Sequence, residues 1–306
     1  MLPIHFAPLQ GHTDDAYRRI HHRLVGGVEH YYTPFIRMEG GGLRSKEVRD
    51  IRPEYNEGVP VVPQIIMKSL KEFEYLTSEV AQRGYTRIDL NMGCPFPMQA
   101  KHGRGAGLLA QTDIIRSIAQ AIEERPQIQF SVKMRLGWED KDEWRPVLEV
   151  LNALPLTHIT LHPRIGTQQY KGEVDMESFR AFYEACRHPL VYNGDIHTLA
   201  DIRSLEEAYP RLAGVMIGRG LPARPSLAIE YATGQEWSPE KRRKLMTDLH
   251  QALMEHWQPL MNSDAQLLNK LRTFWEYTEP LIGRKPYKKI MKSIDGMFVM
   301  NVPMPL

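Results

Sequence analysis

The feature that most constrains this chain is a repeat. A short apolar run, a turn rich in Gly or Asn, and a helix-period pattern recur eight times between Leu2 and Tyr231. The apolar runs are Leu2 to Ala7, Val28 to Thr33, Val59 to Ile66, the stretch around Ile88 and Leu90, Ile128 to Arg135, His158 to Leu161, Pro189 to Tyr192 and Ala213 to Ile217. Strand–helix alternation implies a parallel sheet, because successive parallel strands need a crossover between them. Eight such units are expected to close into an α/β fold of the (β/α)8 TIM-barrel type. An open doubly wound sheet is the competing arrangement, but it rarely needs so many regular units.

The unusual polar residues fall at strand C-termini, the end of a barrel where chemistry is done. Gln64, Asn91, Lys133, His162, Asn193 and Arg219 are expected to surround one mouth. Lys133 and Arg135 share one face of an apolar strand, opposite Val132 and Met134. Two buried cations in parallel need something anionic, either an interior carboxylate or a bound anion or cofactor. Asn193-Gly194-Asp195 and Gly218-Arg219-Gly220 follow the last two strands, where barrels commonly hold a phosphate on backbone N–H groups.

Tyr85 to Leu109 stands out further. It opens as an alternating strand, breaks at Gly93-Cys94-Pro95 and continues through a loop holding Gly103, Gly105 and Gly107. A thiol just past a strand end is presented by its turn, which suits a reactive group. Cys94 as a small apolar cap of the strand is the competing reading. Elsewhere, Thr13 or Asp14 and then Asp113 are candidate caps for the helices that follow them. His21 and His22 point in different directions on a helix and cannot chelate one metal together.

Two cysteines, Cys94 and Cys186, supply neither a disulfide framework nor a metal cluster. The N-terminus lacks a signal-peptide pattern and no apolar run reaches membrane-spanning length, so the expectation is a cytoplasmic chain with no metal and no membrane partner. Ser238 to Leu306 carries 11 Lys and Arg against 7 Asp and Glu, whereas the remainder is slightly acidic. Ser238 and Pro239 open a helix beyond the completed barrel. The expected division is therefore a barrel over residues 1–234 and a small helical domain over residues 235–306. Arg284 to Lys292 interleaves Tyr287 with lysines, which fits either a solvated helix face or a surface for a nucleic-acid backbone.

Taken in order, the motifs A-P-L-Q-G-H-T-D, the Gln64 strand, N-M-G-C-P with G-R-G-A-G-L-L, V-K-M-R-L-G, His162 and Arg164 followed by Q-Q-Y-K-G, Y-N-G-D-I and I-G-R-G resemble the tRNA-dihydrouridine synthase family. The resemblance runs from Ala7 to the basic helices. It implies an FMN-binding barrel, NADPH or NADH as reductant, a helical domain that helps clasp tRNA, and reduction of a uridine C5–C6 bond; separately, a monomer is expected. By the same resemblance the flavin lies against Pro8 and Leu9, with Gln64 and Lys133 at its pyrimidine edge and His162 close by. Asn193, Gly194, Asp195, Gly218 and Arg219 then enclose its phosphate end. Cys94 becomes the acid that protonates C5 after hydride reaches C6, and Asn91, Arg135 and Arg164 serve the substrate.

The pattern departs from the family at Leu9-Gln10 and at His162-Pro163-Arg164-Ile165. Pro163 removes an N–H and Ile165 replaces a usual Thr, and the target uridine is not assigned. Two other functions compete. One is a dihydroorotate dehydrogenase-like barrel acting on a free pyrimidine, which has no reason to append a basic helical domain. The other is a non-catalytic tRNA-binding protein, against which Cys94, Lys133 and the phosphate segments argue.

Overall fold

The computed structural model describes residues 1–292. Nine parallel strands form one sheet: β1 (Ile4–Phe6), β2 (His30–Tyr32), β3 (Val61–Val62), β4 (Gln64–Ile65), β5 (Arg87–Met92), β6 (Gln129–Gly137), β7 (Ile159–Ile165), β8 (Leu190–Asn193) and β9 (Leu212–Ile217). Their order is β3-β2-β1-β9-β8-β7-β6-β5-β4. Since β3 and β4 are consecutive, the sheet returns to its own starting point, and the fold is the expected (β/α)8 barrel with one strand in two pieces. Pro63 makes the break, because it has no N–H for the ladder. The third run is thus shorter than expected: the Val62 carbonyl accepts from Thr33 N, and Gln64 N then donates to the Thr33 side chain at 3.0 Å.

Seven longer helices pack around the strands: α1 (Asp15–Leu24), α2 (Leu70–Ala81), α3 (Thr112–Glu123), α4 (Trp144–Leu151), α5 (Met176–Ala185), α6 (Leu199–Ala208) and α7 (Leu227–Thr233). Asp14 caps α1, accepting from Tyr17 N at 3.0 Å. Asp113 does not cap α3. It lies inside the first turn, where a carboxylate still complements the helix dipole, and Gln111 occupies the cap position without a side-chain bond.

The barrel interior is apolar in its middle at Ala7, Tyr32, Val62, Val191 and Met216. At the N-terminal end, His5 and His158 both meet the Tyr32 hydroxyl at 3.1 Å. Burial lowers His5 to about 3 and His158 to about 4, so both rings are neutral near pH 7.

Beyond α7 the chain forms α8 (Pro239–Trp257), α9 (Asp264–Trp275) and α10 (Arg284–Lys292). Ser238 caps α8 and Pro239 opens it, as expected. α8 packs on α1, and α9 packs on α1 and the loop before it: His12 Nδ1 lies 3.2 Å from the Thr273 carbonyl, Lys270 pairs with Asp14, and Tyr17 packs against Phe274. Glu230, fully buried in α7, joins the two parts. It accepts from Ser226 Oγ at 2.5 Å, Trp237 N at 2.8 Å, and the guanidinium groups of Arg224 and Arg242 at 2.5 and 2.8 Å. Burial pushes its carboxyl up, but these donors outweigh it and hold the group at about 2.

Candidate active site

The C-terminal ends of the strands open on a cavity of about 740 Å³. Gln64, Asn91, Lys133, His162, Asn193 and Arg219 all line it, as strand-end placement predicts. So do Pro8, Leu9, Cys94 and Arg135 on one side and Gly194, Asp195 and Gly218 on the other. Arg164 does not. It is buried behind the wall, where it grips Asp195, donates to the Gly172 carbonyl at 2.5 Å and donates to His162 Nε2 at 3.0 Å.

Cys94 owes its position to a turn that Asn91 closes. Asn91 Oδ1 accepts the N–H groups of Gly93 at 3.1 Å and Cys94 at 2.8 Å, a local side-chain bond that competes successfully with strand continuation. The glycine loop is folded back onto the turn. Ala106 N donates to the Cys94 carbonyl at 3.1 Å, and a Cβ on Gly105 would lie 2.7 Å from the Cys94 Cβ. Arg104 anchors that loop to Glu72 at 2.5 Å. Cys94 is half-buried, and desolvation raises its thiol against the opposing pull of the Phe96 backbone N–H, Arg135 and Lys133. The thiol is therefore a proton carrier at neutral pH.

Lys133 Nζ donates to Asn193 Oδ1 at 2.9 Å. Desolvation, helped by Arg135, brings its ammonium down to about 8. Arg135 donates to the Ile165 carbonyl at 2.9 Å, and the Tyr170 ring lies 5.3 Å from its guanidinium. A break in register explains the neighbouring strand. Arg135 pairs with His162 but Gly137 pairs with Ile165, so β7 carries one extra residue at Pro163-Arg164. Pro163 lacks the N–H the ladder would use, and the strand extends through the departure from the family pattern as a bulge. Desolvation and then Arg135 and Lys133 drive His162 well below the usual range. Since the Arg164 guanidinium only donates, Nε2 accepts and the ring proton sits on Nδ1.

The opposite wall is suited to an anion. The N–H groups of Gly218 and Arg219 have no partner among the described residues, and a Cβ on Gly218 would meet nothing closer than 3.8 Å. Gly194 has φ +147, and a side chain there would press on Val174 at 3.0 Å. Arg219 donates to Asp195 at 3.0 Å. Burial raises the Asp195 carboxyl, but Arg164 and then Arg219 hold it below the usual carboxylate range. Orphaned amide donors, an open glycine and a cation fit the phosphate end of a nucleotide cofactor.

Three features escaped the sequence reading. Tyr170, half-exposed, lies between Arg135 and Arg219, its ring 5.0 Å from the latter. It sits inside Q-Q-Y-K-G, a motif to which the sequence assigned no role. Arg37 and Arg44, from the segment between β2 and β3, and Lys46, at the start of the short helix Ser45–Asp50, bring cations to the mouth. Asp89 lies beneath Gln64, and its period-two spacing from Asn91 on an interior strand was the available signal. Among the described residues no group of three or more His, Cys, Asp or Glu could hold a metal ion, and no helix is long and apolar enough to cross a membrane.

Fold and mouth together define a (β/α)8-barrel enzyme with its chemistry at the C-terminal rim. The dihydrouridine synthase family model matches residues 5–298, and the chain belongs to that family. It is 30% identical over 246 residues to the tRNA-dihydrouridine(16) synthase of Neisseria meningitidis serogroup A, covering 77% of this chain and 72% of that protein. The Pseudomonas putida protein of the same name is 29% identical over 316 residues, covering 99% and 90%. Among solved structures, morphinone reductase in complex with tetrahydroNAD shares the fold at a TM-score of 0.54 and 9% identity, over 77% of this chain and 87% of that one.

Proposed function

We propose that this chain reduces the C5–C6 bond of a uridine in tRNA, with FMN as its flavin and NADPH as reductant, and that the target is position 16, the one in the names of its relatives. One observation carries the reading: Cys94 and Lys133 line the same cavity as the Gly218 and Arg219 N–H groups, which have no partner among the described residues. FMN, when bound, supplies the hydride. The chain's own residues do the rest. Gly218, Arg219 and the Asn193 to Asp195 turn hold the phosphate end, Pro8 and Leu9 support the ring, and Gln64, Lys133 and His162 meet its polar edge. Cys94 gives its proton to C5, while Asn91 and Arg135 orient the base and Arg164 acts through Asp195 and His162. Residues 1–234 carry this site and the basic segment 235–306 contributes to tRNA binding.

The purified chain should be yellow and release FMN by mass. Transfer RNA from a strain lacking the gene should lose dihydrouridine at position 16 and regain it with enzyme and NADPH. Unchanged dihydrouridine content in that strain, or modification at another position alone, would overturn the assignment.

A further inference from the structure

Asp89 takes no part in the scheme above, yet it is fully buried inside the barrel and makes no ion pair among the described residues. Its partners on the adjacent strands are the uncharged Gln64 and Ser131, and Val62, Val191 and Met216 fill other interior positions of the barrel. A lone buried carboxylate is costly, so packing alone does not account for it. Its bonds do. Oδ1 accepts from Ser131 Oγ at 2.5 Å and Oδ2 from Gln64 Nε2 at 2.7 Å. Gln64 Oε1 accepts from Asn91 Nδ2 at 2.7 Å, and Asn91 Oδ1 accepts from the N–H groups of Gly93 and Cys94.

Both ends of this chain of bonds are fixed by chemistry. A carboxylate only accepts and a backbone N–H only donates. Each amide between them must turn its nitrogen toward Asp89 and its oxygen toward the cysteine turn. Flipping either one sets N–H against N–H or oxygen against oxygen. We propose that Asp89 is a positioning residue that sets the direction of this hydrogen-bond chain and thereby holds the Cys94 thiol in place at the cavity. The inference rests on the reading of Cys94 as proton donor to the base. Burial raises the Asp89 carboxyl to about 6, against the pull of Ser131, Gln64 and Lys133. The chain of bonds is thus anchored by an ionised group at neutral pH, and a protonated carboxyl would still accept from Gln64 while donating to Ser131.

Asp89→Leu and Asp89→Asn, both as flavin-loaded enzyme, test this with three readouts. These are the rate of Cys94 alkylation by iodoacetamide followed by peptide mass, flavin reduction by NADPH, and reoxidation by unmodified tRNA. In Asp89→Leu, alkylation should shift by about tenfold and tRNA-driven reoxidation fall by about 100-fold, the scale of a misplaced catalytic group, with reduction by NADPH nearly unchanged. Asp89→Asn keeps an oxygen for Gln64 and can donate to Ser131, so it should restore both. Wild-type alkylation in Asp89→Leu, or equal damage in both variants, overturns the proposal. If Asp89→Leu does not fold, a loss of tRNA-driven reoxidation in Asp89→Asn with flavin reduction by NADPH intact overturns it. Alkylation needs no tRNA, so an altered thiol without any tRNA reduction would count against the proposed reaction and leave Asp89 as the anchor.

Discussion

Arg219 donates to Asp195 at 3.0 Å, so the cation best placed for a phosphate is already held by a carboxylate that Arg164 grips from behind. The guanidinium is thereby aimed before any ligand arrives, and part of its charge is already compensated. Arg219→Ala should weaken FMN binding by about tenfold, the lower end of a charge-assisted bond, as read by flavin fluorescence during reconstitution. Unchanged affinity would remove Arg219 from the phosphate site.

Cys94→Ala should leave flavin content and reduction by NADPH intact while slowing tRNA-driven reoxidation by about 10²–10⁴-fold. Single-turnover absorbance separates the two half-reactions. Ser at the same position should rescue poorly, being a far weaker acid. An Ala variant that oxidises at the wild-type rate would leave Cys94 as a turn-packing residue.

Lys133 is cationic below about 8 and neutral above it. A step that needs its charge should therefore slow as pH rises through that value. Rates of flavin reduction by NADPH on either side of that value should show this limb, and Lys133→Arg should move it to far higher pH. A flat profile in the wild type would mean that the charge is not used.

Stability should fall in mild acid. His5 titrates at about 3 and His21, His158 and His250 at about 4, all below 6.5. Their native forms bind fewer protons than the unfolded chain does, so stability present above pH 6.5 is lost progressively on the way down to about 4. Asp50 and Asp89, raised to about 6, work in the opposite direction over part of that range but are outnumbered. Each net proton is worth about 1.4 kcal/mol per pH unit. Denaturant unfolding at successive pH values should give a positive slope, flatter in His158→Asn.

Lys285 and Lys288 lie on α10, which is basic along its length. Charge reversal at both should lower tRNA affinity and make the salt dependence shallower by about one unit for each phosphate no longer neutralised, without affecting flavin binding. Filter binding over a salt series reads this directly, and an unchanged slope would make α10 a solvated face.

The barrel was legible because its determinants are local: apolar runs, turn residues and helix periods that repeat. The strand-end rule also brought Gln64, Asn91, Lys133, His162, Asn193 and Arg219 to one mouth from spacing along the chain alone. What the sequence hid depends on partners far along the chain. Arg164 reads as a rim cation like Arg135, but the bulge at Pro163 and the pull of Asp195 take it behind the wall. Asp89 reads as the polar side of an alternating strand. In a closed barrel that side faces inward, so its alternation marks a buried network.

Glu230 has a consequence for how the molecule is made. A chain leaving the ribosome exposes every barrel strand and Glu230 before it exposes Arg242, one of the two arginines that neutralise that carboxylate. Until α8 emerges, Glu230 faces a single guanidinium and α1 lacks the helices that cover it. A fragment ending at residue 234 would keep Arg224 but lose Arg242 and the Trp237 N–H as partners of that buried carboxylate. The barrel completes its own sheet early, whereas the second guanidinium on Glu230 comes only with α8.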